Sequence, residues 1–334
     1  MSRPPQPRAV AWARRWAVSV ASLSGGVLTL FVFRRGLPHV AWIVGYVLLV
    51  WLLAGVMAQL REPLTQSGRR SHRIVATAVD YTIQTLYHGL LLFCLPAYWA
   101  ATTLTAPNAA FLGLLVALAL VATFDPWYTA LVMPHRWARG IYFVVSTFAA
   151  LNLALPLIGV PPFAALMLAA WAAVAALAPG AARVTRWPWP RALAATVVLG
   201  VAMALLVGYG RAVVPPAPLF VARAALGWQV DSTGELQAID GPLRVADLDG
   251  RALVAFTAIY APAGLLQGVE HVWRREGAVV NVIPLTPIFG GRREGFRTWS
   301  RKTSFPLDSV GRWTVDVVTD SGQLIGRLSF RVVA

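Results

Sequence analysis

GRWTVDVVTDSGQLIGRLSF, residues 311–330, decides the fold of the C-terminal part of this chain. Both arms alternate apolar with polar residues, the period of a half-buried strand. Asp320-Ser321-Gly322 lies between them, with glycine where a tight hairpin needs positive φ. Working outward, the same pattern recurs in ALVAFTAIY (252–260), GVEHVWRR (268–275), AVVNVIPLTP (278–287), FRTWSRKTS (296–304) and QLIGRLSFRVV (323–333). Six or so strands in about 120 residues, broken by Gly, Asp and Pro, predict an all-β, immunoglobulin-like sandwich over 223–334. The Cys…Trp…Cys signature of antibody domains is absent, because the only cysteine is Cys94. A proline-rich linker at 212–222 precedes the domain.

Upstream of residue 211 the composition is that of a membrane protein. The whole chain is 57% hydrophobic and 13% charged, with a mean hydropathy of +0.62, whereas a soluble domain has roughly 25% charged residues. The net charge of +15 and pI near 11.3 raise the question of nucleic acid. Their distribution answers it. Residues 1–210 carry fifteen arginines against three acids, while 211–334 carry fourteen cations against eleven acids. The excess sits in connections between apolar runs, so it reports topology before it reports a partner.

A membrane-crossing helix needs about 20 apolar residues. Seven stretches are predicted to cross, near 16–33, 40–60, 74–97, 109–124, 139–158, 161–178 and 191–210, within a membrane domain over 1–211. The first continues past Ser19-Val20-Ala21 and reads as an uncleaved span. With the N-terminus cytoplasmic, thirteen arginines fall inside and three outside, which places the C-terminal domain on the far side of an inner membrane, in the periplasm. Asp125-Pro126 reads as an N-cap and first helical residue of a short interfacial helix, and RVTRWPWPR as an interfacial segment.

AIYAPAGLLQGVEHVWRREG (258–277), FRTWSRK (296–302) and the 311–330 hairpin resemble a bacterial C-terminal domain family known only as a domain of unknown function, which follows multi-span membrane regions. The likeness covers about residues 215–334 and is carried by His271-Val272-Trp273, Arg297 to Ser300, Gly311 to Trp313 and Gly322 to Gly326. It implies no activity.

Asp80, Gln84 and His88 stand at i, i+4 and i+8 in the third predicted span, on one helical face. Such groups suit a proton relay or a polar substrate pocket in a membrane-embedded enzyme or transporter. They equally suit pairing of Asp80 with Arg70 or Arg73 and bonding of Gln84 and His88 to neighbouring helices. No hydrolase, metalloprotease or phosphate-loop motif occurs, and the histidines at 39, 72, 88, 135 and 271 lack metal-ligand spacing. No cofactor is implied. His271 has acids nearby in sequence, but alternation forbids assuming that Glu270 orients it. Trp228, Trp273, Trp299 and Trp313 suit either a stacking face for ligands or a sandwich core. In FRTWSRKTS, Phe296, Thr298, Ser300 and Lys302 point one way and Arg297, Trp299, Arg301 and Thr303 the other.

The binding candidates are therefore Arg292, Arg293, Arg297, Trp299, Arg301, His271 and Trp273. The sequence points to an interaction, sensing or scaffolding module rather than an enzyme. Its expected partners are the lipid bilayer and an anionic envelope polymer, a lipid head group or another envelope protein, with no nucleic acid.

Overall fold

The computed structural model describes residues 70–231, 236–239, 241–306 and 308–334. The stretches 16–33 and 40–60 lie outside this set, as do the side chains of Arg70 and Arg73 expected to pair with Asp80. The chain divides into two compact units. The first holds helical segments up to Pro96, 113–154 and 167–207; the second holds 97–112, 155–166 and everything from Gly208 on.

The helices are α1 (Arg70–Ala100), α2 (Ala109–Thr123), α3 (Asp125–Leu131), α4 (Arg136–Leu157), α5 (Pro162–Ala175), α6 (Ala178–Thr185) and α7 (Trp189–Tyr209). Three described helices are long and apolar enough to cross a membrane: Arg136–Leu157, Pro162–Thr185, which joins α5 to α6, and Trp189–Tyr209. Counting α2 with α3, bent by 105° at Phe124, makes four. The described residues thus do not reach the expected seven. The segment 74–97 falls inside α1, which is not among the qualifying helices and carries the polar Asp80, Gln84 and His88. On α7, Val198, Leu199, Leu205 and Leu206 are exposed, an apolar face that none of the described residues covers. The opposite side packs closely: a Cβ on Gly200 would lie 2.8 Å from the Trp171 carbonyl oxygen, so glycine lets α7 approach α5.

The N-terminal end of α3 corrects one expectation. The cap position is the extended residue Phe124, not Asp125, with no side-chain cap; Asp125 is already helical. Its carboxylate is turned to another helix instead, as described below.

The C-terminal part is all-β apart from a short helix, α8 (Val245–Leu248). Its strands are β1 (Phe220–Val230), β2 (Leu236–Ala238), β3 (Leu243–Arg244), β4 (Leu253–Tyr260), β5 (Leu266–Gln267), β6 (Val269–Arg275), β7 (Ala278–Pro284), β8 (Ile288–Phe289), β9 (Phe296–Lys302), β10 (Gly311–Thr319) and β11 (Leu324–Val333). One sheet runs β2-β1-β4-β9, the other β3-β11-β10-β6-β7, and β5-β8 form a small separate ribbon. All described pairings are antiparallel except β11 with β3. The hairpin between β10 and β11 turns at Gly322, whose φ is +86°, with Gly322 N–H donating to the Thr319 carbonyl. β1 carries no alternating pattern, only FVARAALGWQV, and is a strand because β4 pairs along it from Phe220 to Gly227.

The two large sheets pack face to face over a core in two halves, and a further buried cluster, Leu236, Val254, Phe256 and Ala258, lies on the outer side of the β2-β1-β4-β9 sheet. Leu226, Leu253, Ala255, Trp273, Trp313, Val315 and Val332 form one half; Leu219, Ile259, Leu265, Val269, Ile288, Val317 and Ile325 form the other. Residues 214–219 of the proline-rich segment are buried.

Candidate functional site

The polar stripe of α1 meets the bend between α2 and α3. Gln84 Nε2 donates to the Ala122 carbonyl at 3.0 Å and to Asp125 Oδ1 at 2.7 Å. His88 Nδ1 lies 2.8 Å from Thr123 Oγ1, and the Thr123 hydroxyl donates to the Ala119 carbonyl at 2.7 Å. A hydroxyl has one proton, so the His88 ring N–H is the donor to Thr123. A bend of this kind frees carbonyls at the end of α2, and Gln84 takes up one of them. Gln84 and His88 are buried; Asp80, one turn before Gln84, is half-buried. Asp125, the acid that the stripe meets, is not legible from the sequence because it is 41 residues away from Gln84.

Between the two halves of the β core runs a polar belt. Residue alternation on β6 sends both His271 and Trp273 inward, each fully buried. Thr257 on β4 lies 3.0 Å from His271 Nε2, and Ser300 on β9 lies 2.8 Å from His271 Nδ1. The Trp273 indole N–H donates to Ser300 Oγ at 3.0 Å. With the histidine proton on Nε2, the chain closes: Trp273 donates to Ser300, Ser300 to His271 Nδ1, and His271 Nε2–H to Thr257. Burial pushes the His271 pKa down to about 4, so the ring is neutral at pH 7. His271 and Ser300 form no nucleophile pair open to a substrate, because Ser300 is itself buried. Among the described residues, no group of three or more His, Cys, Asp or Glu side chains comes together as a metal site.

β9 turns its polar side inward: Thr298, Ser300 and Lys302 are buried, while Trp299 and Arg301 are exposed. Burial lowers the pKa of Lys302, and its ammonium stands 5.3 Å from the Phe305 ring centre. The outward residues assemble with those of β4 and β1. Pairing aligns three rows across the sheet: Arg223, Ala258 and Arg297; Ala225, Phe256 and Trp299; Gly227, Val254 and Arg301. Phe256 is buried beside Trp299, which is 45% exposed. Arg297 and Arg301 therefore flank the open indole along β9, Arg223 stands two strands away on the same face, and Arg297 pairs with Glu294 at 3.6 Å. Arg223 is not legible as a member from the sequence, since only the β1–β4 register brings it there.

Arg292 and Arg293 lie in the exposed loop leading into β9, with the Arg292 guanidinium 4.9 Å from the Phe296 ring centre. Of the seven binding candidates, then, Arg297, Trp299 and Arg301 share the outer face, Arg292 and Arg293 stand at its approach, and His271 and Trp273 belong to the interior. Three of the four domain tryptophans, Trp228, Trp273 and Trp313, pack in or against the core, and Trp299 does not. The other sheet carries an ion cluster on its outer side. Asp316 bridges Arg327, by two guanidinium nitrogens, and Arg274 at 3.0 Å. That cluster ties β10 to β11 and β6, and hydrogen bonding to Asp316 holds the Arg327 pKa above its ordinary value.

No curated protein matches the chain. Two family profiles do, both without an assigned activity. A protein of unknown function (DUF2914) matches residues 267–332, from the end of β5 through most of β11. A family of unknown function (DUF5924) matches residues 6–255, ending inside β4. The border between the two matches cuts through the β domain, which draws β1, β2 and β3 from the first region and β6 to β11 from the second. Since the longer match takes in most of the sequence, the chain belongs to the family of unknown function DUF5924.

Proposed function

We propose that this protein is an integral membrane protein of the bacterial inner membrane whose β domain acts outside the cytoplasm as a binding module. The observation that carries the binding reading is the outer face of β1-β4-β9, which holds the open Trp299 between Arg297 and Arg301, with Arg223 on the same face. A face of guanidinium groups beside an indole suits an anionic, ring-containing polymer such as an acidic envelope polysaccharide: arginine pairs with carboxylate or phosphate, and the indole stacks on a sugar ring. We read the sandwich as immunoglobulin-like, on the support of its sheet orders and of the parallel β3–β11 edge.

Membrane insertion is supported by the uncovered apolar face of α7 and by Trp127, Trp137, Trp187 and Trp189, exposed near helix ends where interfacial tryptophans collect. Sidedness rests on arginine. The connections 101–108 and 158–161 carry none and share a compact unit with the β domain, while Arg136, Arg139, Arg183, Arg186 and Arg191 lie near the other ends of the helices. By the positive-inside rule the β domain lies away from the cytoplasm, whether three, four or seven helices cross. A C-terminal alkaline phosphatase fusion is expected to be active; activity only of a cytoplasmic reporter would refute the assignment.

The full chain in detergent is expected to bind an acidic polysaccharide such as alginate with an affinity that falls as salt rises. Trp299→Ala and Arg297→Gln/Arg301→Gln should each weaken it about tenfold, while Arg274→Gln, on the other sheet, should not. Equal binding by all four proteins would remove this face from consideration. The alternative, an enzyme or transporter centred on Asp80, Gln84 and His88, has in its favour the placement of this stripe against a broken helix. Against it, Gln84 and His88 are engaged in joining helices.

A further inference from the structure

We infer that the β5–β8 ribbon is a membrane-surface foot, by which the β domain rests on the outer leaflet through an apolar pair and adjoining arginines. Leu266 and Phe289 are direct cross-strand partners, 54% and 58% exposed, while their neighbours Leu265 and Ile288 are buried in the core. Two large apolar side chains thus stand together at a ribbon tip, where a water-facing turn would carry polar residues. The tip is rigidly held. Gly290 N–H donates to the Leu265 carbonyl at 2.9 Å and Gly291 N–H to the Ala261 carbonyl at 3.0 Å. A Cβ on Gly290 would fall 1.6 Å from the Pro262 carbonyl oxygen, so only glycine allows the two loops to close on each other.

Two observations select a bilayer as the occupant. The first is position. A Cβ on Gly159 would lie 3.4 Å from the Gly264 carbonyl oxygen, so the ribbon's leading loop touches the four-residue connection between Arg136–Leu157 and Pro162–Thr185, two helices able to cross a membrane. Ile158 in that connection is exposed as well. Both residues belong to one compact unit, which also holds the facing helix ends 155–157 and 162–166. The second is charge. The Phe289 and Phe296 rings are 6.4 Å apart, and the Arg292 guanidinium lies over Phe296 with Arg293 beside it. Apolar side chains at the head-group boundary with arginines among the phosphates are the combination that holds a surface element on an anionic leaflet. The proposal rests on the membrane reading above but not on any polymer ligand.

The test places a nitroxide at Leu266→Cys or Phe289→Cys, each keeping the other apolar partner, in the full chain in nanodiscs containing phosphatidylglycerol; the native Cys94 is buried and escapes labelling. Collision with oxygen is compared with collision with a water-soluble nickel chelate. The oxygen-to-nickel ratio at both positions is expected to be severalfold that at Thr303→Cys, at the far end of β9, and to fall toward it when Arg292 and Arg293 are both changed to Gln. A ratio equal to that of Thr303, a label shielded from both reagents, or no response to loss of the arginines would each overturn the proposal. Val198→Cys on α7 separates the two levels. If Val198 is lipid-exposed and the ribbon is not, the foot alone fails; if Val198 is also aqueous, the membrane reading fails with it.

Discussion

A fragment of residues 267–334 is expected not to fold, whereas residues 212–334 give a cooperative thermal transition and dispersed amide resonances. The shorter piece coincides with the DUF2914 match and keeps β6, β7, β10 and β11. It loses β4, the only described neighbour of β9, together with β1, β2 and β3. Trp273, Trp313, Val315 and Val317 would then face water where Leu226, Leu253, Ala255 and Ile259 cover them in the intact domain. Burying a large apolar side chain contributes roughly 1.5–3 kcal/mol, so four exposed ones cost about 6–12 kcal/mol, comparable with a small domain's whole stability of about 5–15 kcal/mol. His271 would also lose Thr257. A cooperative unfolding transition in the shorter fragment would show that the two sheets are not interdependent.

Ser300→Ala is expected to destabilise the β domain by about 3 kcal/mol, far more than an ordinary serine. It strands two buried partners at once, the Trp273 N–H and His271 Nδ1, and each unsatisfied buried group costs about 1–3 kcal/mol. The same belt gives the domain a pH dependence. The pKa of His271 is about 4 in the folded domain, against 6.5 for an unperturbed imidazole. Between those values the unfolded chain binds a proton that the folded one refuses, so stability falls as pH drops from about 6.5 to about 4, and His271 adds no further slope below that. The loss amounts to roughly 3 kcal/mol. Urea midpoints measured from pH 7.5 to 4 should fall steeply for the native chain and less for His271→Gln; parallel curves would place the proton elsewhere.

Local chemistry determines what can be read from the sequence. The 319–323 turn needs only a glycine at positive φ between alternating arms, and α4 and α7 need only length and apolarity. β1 escapes such a reading because its alanine-rich sequence lacks strand character of its own and depends on β4. The inward turn of the polar side of β9 is likewise hidden, since Thr298, Ser300 and Lys302 are acceptable inside only when other strands supply partners such as His271 for Ser300 and a ring such as Phe305 for Lys302. The outer face is half legible: Arg297, Trp299 and Arg301 follow from alternation within one strand, Arg223 from a register between distant ones. The polar stripe of α1 is visible in the sequence, but not that Asp125 answers it.

The one parallel pairing among the described strands has a kinetic consequence. β3, two residues at Leu243–Arg244, finds its neighbour in β11, at Val332–Val333, with nearly all the other strands made in between. The edge it guards stays open until the eleventh strand has been delivered. Such long-range closure makes for slow folding, and under the export proposed above transport would be finished before the sandwich could shut.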